Sequence, residues 1–64
     1  MAASKTELEL LGRQSSEALL IAHARAIGAS AVHQARGAFC MAELCEDRAD
    51  AILQVLDARR AEAA

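Results

Sequence analysis

Proline, tryptophan and tyrosine are absent from this chain, and Phe39 is its only aromatic residue. Without aromatics, and with few β-branched residues, the chain lacks the side chains that suit a pleated strand. Without proline, only three glycines can interrupt a helix from within: Gly12, Gly28 and Gly37. The remainder is rich in Ala, Leu, Glu, Arg and Gln, all good helix formers, so the predicted fold class is all-α.

Cysteine is scarce as well. Cys40 and Cys45 stand five apart, which is neither a disulfide framework nor a paired-cysteine metal knuckle. On one helix they point about 140° apart and cannot bridge to each other. Long apolar runs are also missing. The stretches without formal charge, Ala18–Ala24 and Ala26–Ala35, are too short to span a bilayer. Met1–Lys5 lacks the basic start and apolar core of a secretory signal. The expectation is a cytoplasmic protein with no membrane association.

A basic field is missing too. Net charge is −2. Residues 1–36 carry Lys5, Arg13, Arg25 and Arg36 against three acids, whereas residues 37–64 carry Arg48, Arg59 and Arg60 against six. Phosphate contacts dominate nucleic-acid affinity, so this balance disfavours a nucleic-acid partner.

The chain contains no phosphate-binding glycine loop, H-E-x-x-H or G-x-S-x-G. His23 and His33 are ten apart, about 80° around a helix, and two imidazoles do not supply the four ligands zinc wants. They read as histidines at the edge of an apolar face. Cys45 and Cys40 read as small hydrophobes, with no histidine at close helical spacing to activate either. Carboxylates cluster between Glu43 and Asp57 but fall on the polar side of a helix, facing water. No catalytic residue, metal ligand or cofactor site is expected, and the chain does not read as an enzyme.

What is present is a helix-packing seam. Stepping by threes and fours gives Ile21, Ala24, Gly28, Ala31, Ala35, Ala38, Ala42, Cys45, Ala49, Ile52 and Leu56, all apolar or glycine. Its first portion is made of small residues and lies within a stretch, Ala18–Ala42, that contains no acid. Its second portion belongs to an amphipathic helix over Met41–Arg60. There Met41, Leu44, Cys45, Ala49, Ile52, Val55 and Leu56 oppose Glu43, Glu46, Asp47, Asp50, Gln54 and Asp57.

Upstream, Ser4-Lys5-Thr6-Glu7 fits a capping box, so a helix is predicted to start near Lys5. Gly12-Arg13-Gln14-Ser15-Ser16 combines a stop signal with two possible N-caps. A continuous, kinked helix through it is preferred over a separate short N-terminal helix. For the main turn, Gly28-Ala29-Ser30 offers a C′ glycine and then an N-cap serine. Gly37 offers the glycine but no cap after it, and an unbroken rod remains open. A helical hairpin is preferred because globular helices average roughly 10–14 residues.

Residues 1–64 therefore read as a single small helical domain that assembles into a coiled-coil-like or four-helix bundle. A chain so short commonly leans on oligomerisation or a partner, and a homodimer is expected. The predicted function is protein–protein interaction, as an adaptor, regulator or chaperone-like subunit. The interaction residues are Ala24, Gly28, Ala31, Ala35, Ala38, Phe39, Met41, Ala42, Leu44, Cys45, Ile52, Val55 and Leu56. Small residues allow close backbone approach, and Phe39 is a candidate anchor. The alternative is a small DNA-binding regulator. Ala24, Ile27, Gly28 and Ser30 have the flavour of a helix-turn-helix turn, although Gln34 and Gly37 stand where a recognition helix wants apolar residues.

Overall fold

Ser4 caps the first helix. Its backbone is extended and its hydroxyl accepts from the amide of Glu7 at 3.1 Å, the capping half of the S-x-x-E signal. In the computed structural model, which describes residues 4–63, three helices follow: α1 (Lys5–Gly12), α2 (Ser16–Ala35) and α3 (Phe39–Ala63). Among the described residues there is no strand, and no helix is long and apolar enough to cross a membrane. Residues 1–3, part of the stretch read as lacking a signal sequence, lie outside the described residues.

The chain breaks after α1 instead of kinking. The last turn of α1 tightens, with the amides of Arg13 and Gln14 donating to Leu10 and Leu11 carbonyls at 3.3 and 3.0 Å. Ser15 is then extended, and its hydroxyl accepts from the amide of Ala18 at 3.1 Å. A side-chain cap of this kind stabilises a new helix start by about 1 kcal/mol, which favours two helices over a bent one.

The second expectation to change is the main turn. Gly28 lies in the middle of α2, and the chain reverses at Gly37, the one described glycine with positive φ (76°). The amide of Gly37 donates to the Gln34 carbonyl at 3.0 Å, and that of Ala38 to the His33 carbonyl at 2.8 Å. This paired pattern is a Schellman closure, in which a left-handed glycine and the next residue together satisfy the last carbonyls. It needs no N-cap residue after the glycine. Ser30, which could have capped a helix after Gly28, instead spends its hydroxyl on α3, donating to Glu46 Oε1 at 3.2 Å.

α2 and α3 lie antiparallel, since Ser16 meets Arg59 at one end while Ser30 and Gln34 meet Glu46 toward the other. The inner side of α2 is Leu19, Ala22, Ala26, Ala29, Ser30 and His33, at helical spacing. Facing it, α3 contributes Ala42, Ala49 and Ile52, with Cys45 and Leu56 half-buried. Toward the Gly37 turn the interface is made largely of small residues. At the other end α1 lies across α3, and Leu11, Leu19, Ala51 and Ile52 form the buried cluster with Leu8, Ala22, Val55 and Leu56 around it. Leu19 and Ile52 are the largest side chains that are fully buried. The body measures 40 × 21 × 17 Å, so no helix is enclosed on all sides.

Candidate interaction surface

The two long helices differ in how their polarity is distributed around the axis. α3 has Ala42, Ala49 and Ile52 inward, and an outer side where the exposed Glu43, Asp50, Gln54 and Asp57 are interspersed with the exposed Phe39 and Leu53. α2 is apolar on both its inner and its outer side, with His23 and Gln34 along one flank between them and Arg25 on the other. Its side away from α3 carries Leu20, Ile21, Ala24, Ile27, Gly28, Ala31, Val32 and Ala35, all exposed. At about 100° per residue these cover an arc of roughly 140° that holds no charged side chain from Leu20 to Ala35. The four large members are between 48% and 59% exposed.

The predicted seam is therefore divided by the fold. From Ala42 onward it packs inside the chain: Ala42, Ala49 and Ile52 are buried, and Cys45 and Leu56 half-buried. Its earlier members, Ile21, Ala24, Gly28, Ala31 and Ala35, all face outward, and Ala38 at the turn is half-buried. Of the predicted interaction residues, Val55 is half-buried beside the α1 cluster. Phe39, Met41 and Leu44 are exposed on α3, Phe39 most of all at 69%. They do not join the α2 surface into one stripe. Leu20, Ile27 and Val32 belong to the outer face and were not among the predicted residues. Their spacing with Ala24, Ala31 and Ala35 was the signal that could have found them.

Gly28 sits at the midpoint of this face. A methyl group added there meets no atom within 4 Å, so nothing in the hairpin requires a glycine at that position. A helical glycine is a poorer choice than alanine by about 1 kcal/mol, and its presence has no explanation from within the chain. On the flank of the same face an open groove of about 660 Å³ runs between α2 and α3. Ala22, Ala26 and Ala29 line it, Ile21 borders it, and Arg25, Arg48 and Gln14 supply its polar rim.

Two polar clasps hold the hairpin without entering this surface. Glu46 Oε1 accepts from Ser30 Oγ and from Gln34 Nε2 at 2.9 Å. Arg59 reaches back to the α1–α2 corner. His23 and His33 are half-buried and Cys40 is exposed. Among the described residues no group of three or more His, Cys, Asp or Glu is placed to hold a metal ion. The helix-turn-helix resemblance loses its turn, because Ala24–Ser30 is continuous helix. No family model, curated protein or solved structure matches the chain.

Proposed function

We propose that this chain is a non-enzymatic α-helical protein–protein interaction module that works through the outer face of α2. The observation that carries this reading is the uncharged arc from Leu20 to Ala35, apolar and exposed on a helix whose other side is already packed. A helix that is apolar on both its inner and its outer side belongs in an interior, and the hairpin supplies only half of one. Isolated exposed apolar residues are ordinary, whereas a contiguous apolar face of this kind marks a contact surface. The mechanism is helix-on-helix packing. Leu20, Ile21, Ile27 and Val32 supply area, while Ala24, Gly28, Ala31 and Ala35 let a second backbone approach closely. An adaptor, regulator or chaperone-like subunit acts through such a face.

The test is a chain carrying Ile21→Glu and Ile27→Glu. Both side chains are exposed, so circular dichroism should show the helix content of the parent. Association and the binding of an apolar-surface dye such as anilinonaphthalene sulfonate should both fall away. A parent chain that is a folded monomer and binds no dye overturns the reading.

A further inference from the structure

We infer that the occupant of the α2 face is a second copy of this chain, its α2 antiparallel to the first and crossing it near Gly28. The inference rests on the interaction-module reading and adds the identity of the partner.

Area is the first argument. At the observed exposures the face presents on the order of 500 Å² per chain, so a two-fold pair that covers it fully hides on the order of 1,000 Å², the lower bound of a specific interface. The face carries Leu20 and Ile21 toward one end, Val32 toward the other, and Ala24, Ile27, Gly28 and Ala31 between them. A two-fold axis at Gly28 sets Ile21 of each chain level with Ala35 of the other, and Val32 level with Ala24, large against small. It also gives the unexplained glycine a role, since the closest backbone approach falls where no side chain stands.

Charge is the second argument, and it fixes direction. Glu17 stands at the N-terminal end of the face and Arg36 caps the C-terminal end of the helix. Antiparallel pairing brings the Glu17 end of each copy alongside the Arg36 end of the other, and opposes the two helix dipoles favourably. Parallel pairing instead sets Glu17 against Glu17 and Arg36 against Arg36. In the antiparallel pair α2 becomes central on both sides, and the outer side of α3 remains in water. The result is a four-helix layer with the two α2 helices at its centre.

Sedimentation of the purified chain over a dilution series should give a dimer that dissociates reversibly. Ile27→Glu should raise its dissociation constant by about 30-fold or more, as loss of an interface hot spot does. Leu44→Glu, on another face, should leave it unchanged. Cysteine cross-linking in a background with Cys40→Ser and Cys45→Ser reads the arrangement. Chains with Ile21→Cys and Ala35→Cys should cross-link when mixed and not with themselves. Those two positions are about 21 Å apart along the helix, out of reach in a parallel pair. Self-linking at Ile21→Cys overturns the antiparallel arrangement. A monomer at every concentration that still binds the apolar dye overturns self-pairing and leaves the face to a different protein. A monomer that binds no dye overturns both readings.

Discussion

The guanidinium of Arg59, near the end of α3, donates to the main-chain carbonyl of Gln14 at 2.6 Å, tying together residues 45 positions apart. The same nitrogen, Nη2, donates to the Gly12 carbonyl at 3.0 Å, while Nη1 donates to Ser16 Oγ at 2.9 Å. One planar fork thus serves the end of α1, the linker and the start of α2. Carbonyls at the end of a helix lack intrahelical partners, and a cation suits the negative pole there.

Arg59→Lys should lose most of this clasp, because an ammonium cannot present the two separated nitrogens of the fork. Hydrogen bonds to a charged group contribute about 1.5–3 kcal/mol, and partial exposure of Arg59 places the expected loss at the lower end. Chemical denaturation would measure it. Hydrogen exchange should show faster opening of α1 than of α2.

Gly37 and Gly28 should respond oppositely to alanine. At Gly37 the φ of 76° forces a methyl group into the left-handed region, so Gly37→Ala should destabilise the hairpin by about 1–2 kcal/mol. Gly28→Ala enters open space on a regular helix and should stabilise the dissociated hairpin by up to about 1 kcal/mol. Thermal melts at high dilution read both signs. The same Gly28→Ala change should weaken self-association, so the two effects separate by concentration.

Ile52 and Ile27 are the same residue type in opposite surroundings. Ile52→Ala empties the centre of a small core and should cost about 2–5 kcal/mol, enough to threaten folding, so Ile52→Val at about 0.5–1.5 kcal/mol is the measurable variant. Ile27→Ala should be nearly neutral in the dissociated hairpin. Its cost should appear only where the chains associate, read as a lower melting temperature at high concentration than the parent shows.

Parts of this fold were legible in the residues, and the missing parts share a cause. The Ser4 cap and the all-helical class follow from signals with one meaning, a serine three before a glutamate and a run of helix formers. On α3 the predicted apolar side holds for Cys45, Ala49, Ile52, Val55 and Leu56, while Met41 and Leu44 are exposed. α2 offers less contrast. With alanine, leucine and isoleucine on both its inner and its outer side, periodicity cannot say which side faces α3, and the seam through Ile21, Ala24 and Gly28 picked out the face that is exposed. The inner set through Leu19, Ala26 and Ser30 fits helical spacing equally well. Gly37 was discounted for want of a capping residue after it, although a Schellman closure draws on backbone groups alone.

Ser30 and Glu46 should prove coupled. Ser30 is buried, and its hydroxyl shares Glu46 Oε1 with Gln34 one turn along. Ser30→Ala should cost about 0.5–1.5 kcal/mol in the parent. In a Glu46→Ala background the same change should cost close to nothing, giving a positive coupling energy in a double-mutant cycle. Equal costs in both backgrounds would sink the pairing.

The buried contact between α2 and α3 toward the turn is made of small residues, Ala26 and Ser30 on one helix and Ala42 and Ala49 on the other, and such a surface is smooth. Sliding one helix past the other by a turn, about 5.4 Å, swaps one methyl group for another with little loss of fit. Nothing in those methyl groups chooses among such registers. The choice falls to the tight turn at Gly37, the Leu19–Ile52 core and the two polar clasps at opposite ends, Glu46 with Ser30 and Gln34, and Arg59 with the corner at Gly12–Ser16. They act as detents on a slide. With all of them in place, α2 has one position relative to α3, and its outer residues stand at fixed heights for whatever meets them.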